Sequence, residues 1–251
     1  MYIDIHNHLL PGVDDGAPKM SLTLAGLRAA VKEKVSAVCF TPHIWPGKYP
    51  NQPQKLRDVF RQVREAAADI PLELHLGSEV YYGPDLNDHF RQGCYITVGD
   101  KGRYLLVELP VAVKPQGVSS GLYKLMLQGV EPVIVHPERY QYVQKAPEVL
   151  FEFAQSQIPM QVTTQSITGA HGPAARKAAI KLLDMGMISF IASDAHNPET
   201  RPLVFREAVR FLNRRYGHST ARLLAIENPK RILEGKHLLP VAGKNGKKPR
   251  F

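Results

Sequence analysis

The chain has 251 residues, 44% of them hydrophobic and 22% charged, with a formal net charge of +9. These are globular values, and no apolar run approaches the roughly 20 residues that span a bilayer, so a disordered chain and a membrane-inserted one are both excluded. The two cysteines, Cys39 and Cys94, are too few for a disulfide scaffold, and reduced thiols in a cytoplasmic protein are the expectation.

In chain order the predicted elements alternate. Strands are expected at roughly 2–8, 36–41, 72–79, 104–109, 132–136, 159–164 and 187–193. The first already carries His6 and His8, so the N-terminus does not read as a signal peptide. Helices are expected between the strands. Leu24, Leu27, Val31 and Val35 keep helical spacing, Leu122, Leu125 and Met126 precede Gly129, and Ala175, Ala178, Ala179, Leu182 and Met185 run into Gly186 as a stop. Asn228-Pro229 marks the end of the last helical pair. No internal repeat or linker interrupts this pattern, so one domain is expected over 1–240. A basic, Gly-rich tail over 241–251 is expected to be disordered. Lys244, Lys247, Lys248 and Arg250 supply four of the charges there and leave +5. No stripe of basic and aromatic residues accompanies that excess. No nucleic-acid partner is therefore expected, whereas an acidic or phosphorylated one suits the charge.

Strict alternation implies a parallel sheet, and closing about seven such units gives an α/β, TIM-like barrel, whose chemistry belongs at the C-terminal strand ends. Six of the seven expected strands end in titratable residues. These are His6 and His8, His43, Glu79, Glu108, His136, and Asp194 with His196; Asp15 follows the first strand in Asp14-Asp15-Gly16. Only the strand ending in Thr163-Thr164-Gln165 lacks one. Nine imidazoles and carboxylates exceed what one ion uses, so two or three divalent ions are expected. Ligation by N and O without thiolate fits Mn, Fe or Zn, with Co a further candidate. Arg139 and Arg201 follow strand ends and are expected to clamp phosphate oxygens, which favours a phosphoester over an amide. The expected chemistry is in-line attack on phosphorus by metal-activated hydroxide, with His43 or His136 as candidates for assisting the leaving group. A cysteine mechanism needs Cys, five residues, then Arg; the sixth position after Cys39 is Trp45 and after Cys94 is Asp100, so neither fits. Trp45, Tyr49, Tyr81 and Tyr82 cluster after strand ends and either line the entrance or anchor loops. Asp4 either orients an imidazole or is polar filler, and His75, His89, His171, His218 and His237 are read as structural.

The segments DIHNHLLPGVDDGA, TPH, GSEVYY, LVELP, HPERY and SDAH, in this order, resemble the polymerase-and-histidinol-phosphatase (PHP) superfamily. They are most similar to its bacterial tyrosine-protein phosphatases of capsule and exopolysaccharide synthesis. The resemblance runs from about Tyr2 to Asn228-Pro229. It implies a distorted (β/α)7 barrel, manganese held by the nine residues above, and phosphate contacts from Arg139 and Arg201. It also implies a substrate, phosphotyrosine on the tail of a bacterial tyrosine autokinase. The chain departs from the family pattern at Val162-Thr163-Thr164-Gln165-Ser166, where Asn-Ala-Gly-Ser is expected. The alternative within the fold is a small-molecule phosphatase acting on histidinol phosphate or a nucleotide. An amidohydrolase, which commonly needs a bridging Lys on a middle strand, and a non-enzymatic binding module rank below it. Membrane insertion is not expected, and the oligomeric state is left open.

Overall fold

The structure, a computed structural model, describes residues 1–244. Residues 245–251, most of the expected disordered tail, lie outside the described residues. Val241 packs on the core and Gly243 is buried beside Gly186. No helix among the described residues is long and apolar enough to cross a membrane.

The described elements run β1 (Tyr2–Asp4), α1 (Met20–Lys32), β2 (Val35–Phe40), β3 (His43–Ile44), α2 (Pro53–Ala66), β4 (Glu73–Leu76), β5 (Glu79–Tyr81) and α3 (Leu86–Arg91). They continue with β6 (Tyr104–Glu108), α4 (Val118–Leu127), β7 (Glu131–Val135), α5 (Gln141–Lys145), α6 (Phe151–Gln155), β8 (Met160–Thr163) and α7 (Thr164–Thr168). The last are α8 (Gly172–Asp184), β9 (Phe190–Ala192), α9 (Arg206–Arg222) and α10 (Asn228–Leu233). Every strand pair is parallel, in the orders β1-β2-β4 and β3-β5-β6-β7-β8-β9.

These two sheets form one wall: the third expected strand is broken in the middle, and the second stops at Phe40, with β3 resuming the wall at His43 beyond its expected end. Pro42 has no N–H to give to a ladder between β2 and β3. Ser78, between β4 and β5, turns its Oγ to the Ile96 carbonyl at 2.8 Å and receives the Ile96 N–H at 3.0 Å. Backbone bonds carry the register across the breaks: Thr41 N donates to Asn7 O at 2.9 Å, Gly77 N to Phe40 O at 2.8 Å, and Glu79 N to Pro42 O at 3.1 Å. The wall also joins end to end. Asp194 N donates to His6 O at 2.8 Å and His8 N to Ala195 O at 2.7 Å, with Asn7 bridged in parallel to Ala195. The barrel reading therefore holds, and the seam between first and last strands lies among the expected site residues.

Side chains alternate across the wall, as period-2 strands require. On β6, Leu105 and Val107 join the larger core under the helices, while Tyr104 and Leu106 join a smaller one with Ile3, Cys39, Val133 and Phe190. Glu108 continues the Tyr104–Leu106 face, so the same alternation that fills the centre carries a carboxylate to the top. Two boundaries differ from expectation. Val35 opens β2 instead of closing α1, because Lys34 turns the chain at φ +64°. Asn228-Pro229 does not end a helix but lies inside one helical run, where a π-helical turn over Leu223–Glu227 joins α9 to α10 just before the proline.

Candidate metal centre

All nine expected ligands meet at the C-terminal end of the barrel. Their N and O atoms form four overlapping groups, each within 4.8 Å: His8–Asp15–His43–His196, His6–His8–Asp194, His6–Glu79–His136 and His43–Glu79–Glu108. Glu79 is the hub. Its Oε1 lies 2.9 Å from His136 Nε2 and 3.4 Å from His6 Nε2, and its Oε2 lies 3.1 Å from His8 Nε2 and 3.0 Å from His43 Nδ1. A fully buried carboxylate with two imidazoles near each oxygen could serve as a ligand to more than one ion.

The donor set fits divalent metal. Six of its buried atoms make no well-aligned hydrogen bond: Nε2 of His6 and His8, Nδ1 of His43 and His136, and Oε2 of Glu79 and Glu108, although Glu79 Oε2 stands 3.1 Å from His8 Nε2 and 3.0 Å from His43 Nδ1. Buried polar atoms are normally satisfied with good geometry, so this many poorly satisfied donors and acceptors in one place fit a site that a cation would complete. The backbone carries strain at the same points: His136 sits at φ +35° and Asp194 at φ +52°, left-handed for residues other than glycine.

The charges are mutually dependent. Against the cost of burial, the His6 and His43 imidazoles hold Glu79 well below the usual carboxylate range. Burial, and then the charge of Glu79, push Glu108 up to about 7. Burial also opposes protonation of His6 and His8, yet Glu79 raises His6 and Asp14 raises His8 well above the ordinary imidazole value. Burial depresses His136 to about 4, and burial with the neighbouring His8 depresses His196 to about 2.

Two cations stand at the mouth. Arg139 Nη1 donates to Asp194 Oδ2 at 2.7 Å, and Arg201 Nη2 donates to the same oxygen at 2.8 Å. Against burial, Arg201 first and then His6 and Arg139 keep Asp194 well below its usual range. Both side chains stay partly exposed, at 30% and 27%, within reach of an anion entering the mouth.

Two supporting residues escaped the sequence reading. Asp14, with a fully buried side chain, accepts from His8 Nδ1 at 2.7 Å and from the His43 backbone N–H at 2.9 Å, so it orients one imidazole and one ligand-bearing strand. The doubled aspartate was the available signal: here Asp14 is the buried, orienting carboxylate, while Asp15 is 41% exposed and faces His43 and His196 from the rim, at 3.6 and 3.7 Å. Gln161 Oε1 bonds His6 Nδ1 at 2.9 Å, so the strand without a titratable end contributes an orienting amide. Asp4 does not bond an imidazole; it accepts from Ser193 N at 2.8 Å, Ser193 Oγ at 2.6 Å and Asn7 Nδ2 at 3.3 Å, tying β1 to β9. Gly16 is required by close approach, since a Cβ there would stand 1.7 Å from His8 O. Of the other histidines, His75 pairs with Glu73, His89 with Tyr95, His171 with Thr163 and Ser166, and His237 with Arg103.

Comparison with known proteins agrees with this geometry. Residues 2–234 match the family model for capsular polysaccharide synthesis, CpsB/CapC. The chain is 31% identical over 236 residues to the tyrosine-protein phosphatase YwqE of Bacillus subtilis, covering 93% of this chain and 92% of that one. It is 27% identical over 238 residues to the tyrosine-protein phosphatase CpsB of Streptococcus pneumoniae, covering 92% and 98%. A crystal structure from that pair, described as unique metal-dependent tyrosine phosphatases, superposes with a TM-score of 0.91 at 29% identity over 99% of both chains. A lactonase of Listeria monocytogenes shares the fold alone, with a TM-score of 0.63 at 10% identity over 94% and 95% of the two chains. The chain belongs to the CpsB/CapC family of capsular polysaccharide synthesis.

Proposed function

We propose that this protein is a metal-dependent tyrosine-protein phosphatase acting on the phosphotyrosine tail of a bacterial tyrosine kinase that governs capsule or exopolysaccharide synthesis. The observation that carries the reading is the convergence of nine N and O ligands, six of their atoms without a well-aligned hydrogen bond, beneath two arginines that share one aspartate. The named relatives supply the substrate class.

In this reading His6, His8, Asp15, His43, Glu79, Glu108, His136, Asp194 and His196 hold two or three divalent ions, manganese first among them. Those ions supply the Lewis acidity that makes hydroxide available near neutral pH and offsets phosphoryl charge. The protein's own part is to orient and to bind. Asp14 and Gln161 set the tautomers of His8 and His6 so that the opposite ring nitrogen faces inward. Arg139 and Arg201, held in parallel by Asp194, present planar donors to the equatorial phosphate oxygens, where charge grows in the transition state. The leaving group asks for little acid, because a phenol of pKa about 10 departs as phenolate far more readily than an alkoxide does. Burial holds His136 down to about 4, so its imidazole is neutral near pH 7 beside Glu79, which supports a ligand role for it in this reading.

The test is hydrolysis of p-nitrophenyl phosphate and a phosphotyrosine peptide after EDTA, with Mn, Fe, Zn and Co returned singly. Activity that vanishes with EDTA and returns with one of these ions, with the peptide preferred over histidinol phosphate, supports the reading. EDTA-resistant turnover, or preference for histidinol phosphate, overturns it.

A further inference from the structure

His43 and Trp45 are two residues apart at β3, and Glu79 and Tyr81 are two apart on β5, so each aromatic side chain leaves the wall on the same face as a ligand. The rings meet. Trp45 and Tyr81 stack with centroids 3.8 Å apart and 5° between planes, and the Trp45 ring lies 6.2 Å from that of His43. Behind this stack opens a cavity of about 300 Å³ whose lining includes Trp45, Tyr81, Tyr82, Gly83, Leu86 and Tyr95. Leu86 and Tyr95 are buried and form an apolar floor, whereas Trp45 and Tyr81 are half-buried at the lip. A void of about 150 Å³ already accepts a benzene-sized group, so this one admits a large side chain. Lys48 Nζ stands 4.5 Å over Trp45 and 5.0 Å over Tyr49, exposed.

We propose that this cavity binds an apolar side chain of the substrate, two residues from the phosphotyrosine in the same extended segment. The inference rests on the phosphatase reading above and adds the neighbouring position that the enzyme selects. The spacing argues for it. Alternate side chains of an extended peptide project from one face about 6.6 Å apart, which matches the step from the His43 ring to the Trp45 ring. A segment that lowers its phosphotyrosine onto the ligands therefore sets its second neighbour at the Trp45–Tyr81 lip.

The experiment compares kcat/KM of the Mn-loaded protein on phosphotyrosine peptides with Leu, Phe or Ser two residues before or after the phosphotyrosine. Leu or Phe at one of these positions is expected to raise kcat/KM at least tenfold over Ser, the gain from burying one large apolar side chain. The chain has a single tryptophan, Trp45, so binding of a non-hydrolysable phosphonate peptide is read from its emission, and only the apolar peptides should shift it. Gly83→Leu plugs the cavity, since a Cβ there meets nothing within 4 Å and its φ lies outside the left-handed region. In that variant the Leu-to-Ser ratio is expected to fall below twofold. A wild-type ratio below twofold at both positions overturns the proposal, as does a ratio that survives Gly83→Leu. If the variant does not fold, the wild-type ratios and the Trp45 emission decide alone. Hydrolysis without neighbour preference sinks only the cavity, whereas failure to hydrolyse any phosphotyrosine peptide sinks the phosphatase reading and this proposal with it.

Discussion

Gly16→Ala tests whether the Asp14–Asp15 loop positions the centre. The new Cβ would stand 1.7 Å from His8 O, about half of the 3.4–4 Å of an ordinary contact, and 2.6 Å from His8 Cβ, also well inside it. The nearest atom is a backbone carbonyl, so no rotamer change relieves the overlap and the loop must move away from His8. That movement breaks the bond from Ala17 N to His8 O, 3.0 Å in the wild type, and draws Asp14 from His8 Nδ1 and from the His43 N–H. Overpacking of this kind costs about 1–3 kcal/mol, a melting temperature lower by roughly 2–12 °C for a chain of this size. Misplacing a reacting group by about 1 Å costs about 100-fold in rate, so kcat/KM on p-nitrophenyl phosphate should fall by at least that factor while the protein stays folded. The assay pairs Mn-dependent turnover with thermal unfolding. Turnover within threefold of wild type would refute the reasoning, because Asp14, Asp15 and His8 would then tolerate a shift that the contacts forbid.

Arg139→Lys and Arg201→Lys should each lower kcat/KM about 100-fold with bound metal unchanged, since an ammonium cannot offer the planar fork that both guanidiniums present beside Asp194; metal content that falls along with activity would refute the phosphate role. Metal affinity should weaken as pH falls. His6 and His8 have raised pKa values in the metal-free protein, so below those values each holds a proton that an incoming ion must displace, about tenfold in affinity per pH unit for each imidazole. Glu108, at about 7, also holds a proton near pH 6 and adds to the release, whereas His136, at about 4, and His196, at about 2, are already neutral there and release none. Chelator competition in weakly buffered solution counts the protons, and zero release near pH 6 would contradict the sign. Asp4→Ala removes the acceptor of Ser193 N, Ser193 Oγ and Asn7 Nδ2, stranding buried donors at the seam between β1 and β9 at about 1–3 kcal/mol each. Unfolding by urea should show a loss in that range, and an unchanged midpoint would show that the seam does not depend on Asp4.

The convergence of these nine side chains could be anticipated before any coordinates because it follows from local rules. Parallel strands alternate with helices, every such strand ends on the same side, and residues such as Glu108 and His136 lie where an apolar run stops. Burial adds to that legibility: an imidazole or carboxylate at the end of a Val/Leu run has no reason to be there unless it meets others. Tertiary structure alone decided which atoms face one another. The division of labour between Asp14 and Asp15 depends on a loop folded against His8, and the choice of Gln161 as partner of His6 joins residues 155 positions apart. Pro42 marks the first break in the sequence, but the second, where Ser78 bonds Ile96 eighteen residues on, and the Trp45–Tyr81 stack that follows both breaks depend on tertiary contacts. Sequence patterns report what each segment must bury, while the distances that make a site depend on how the segments close on one another.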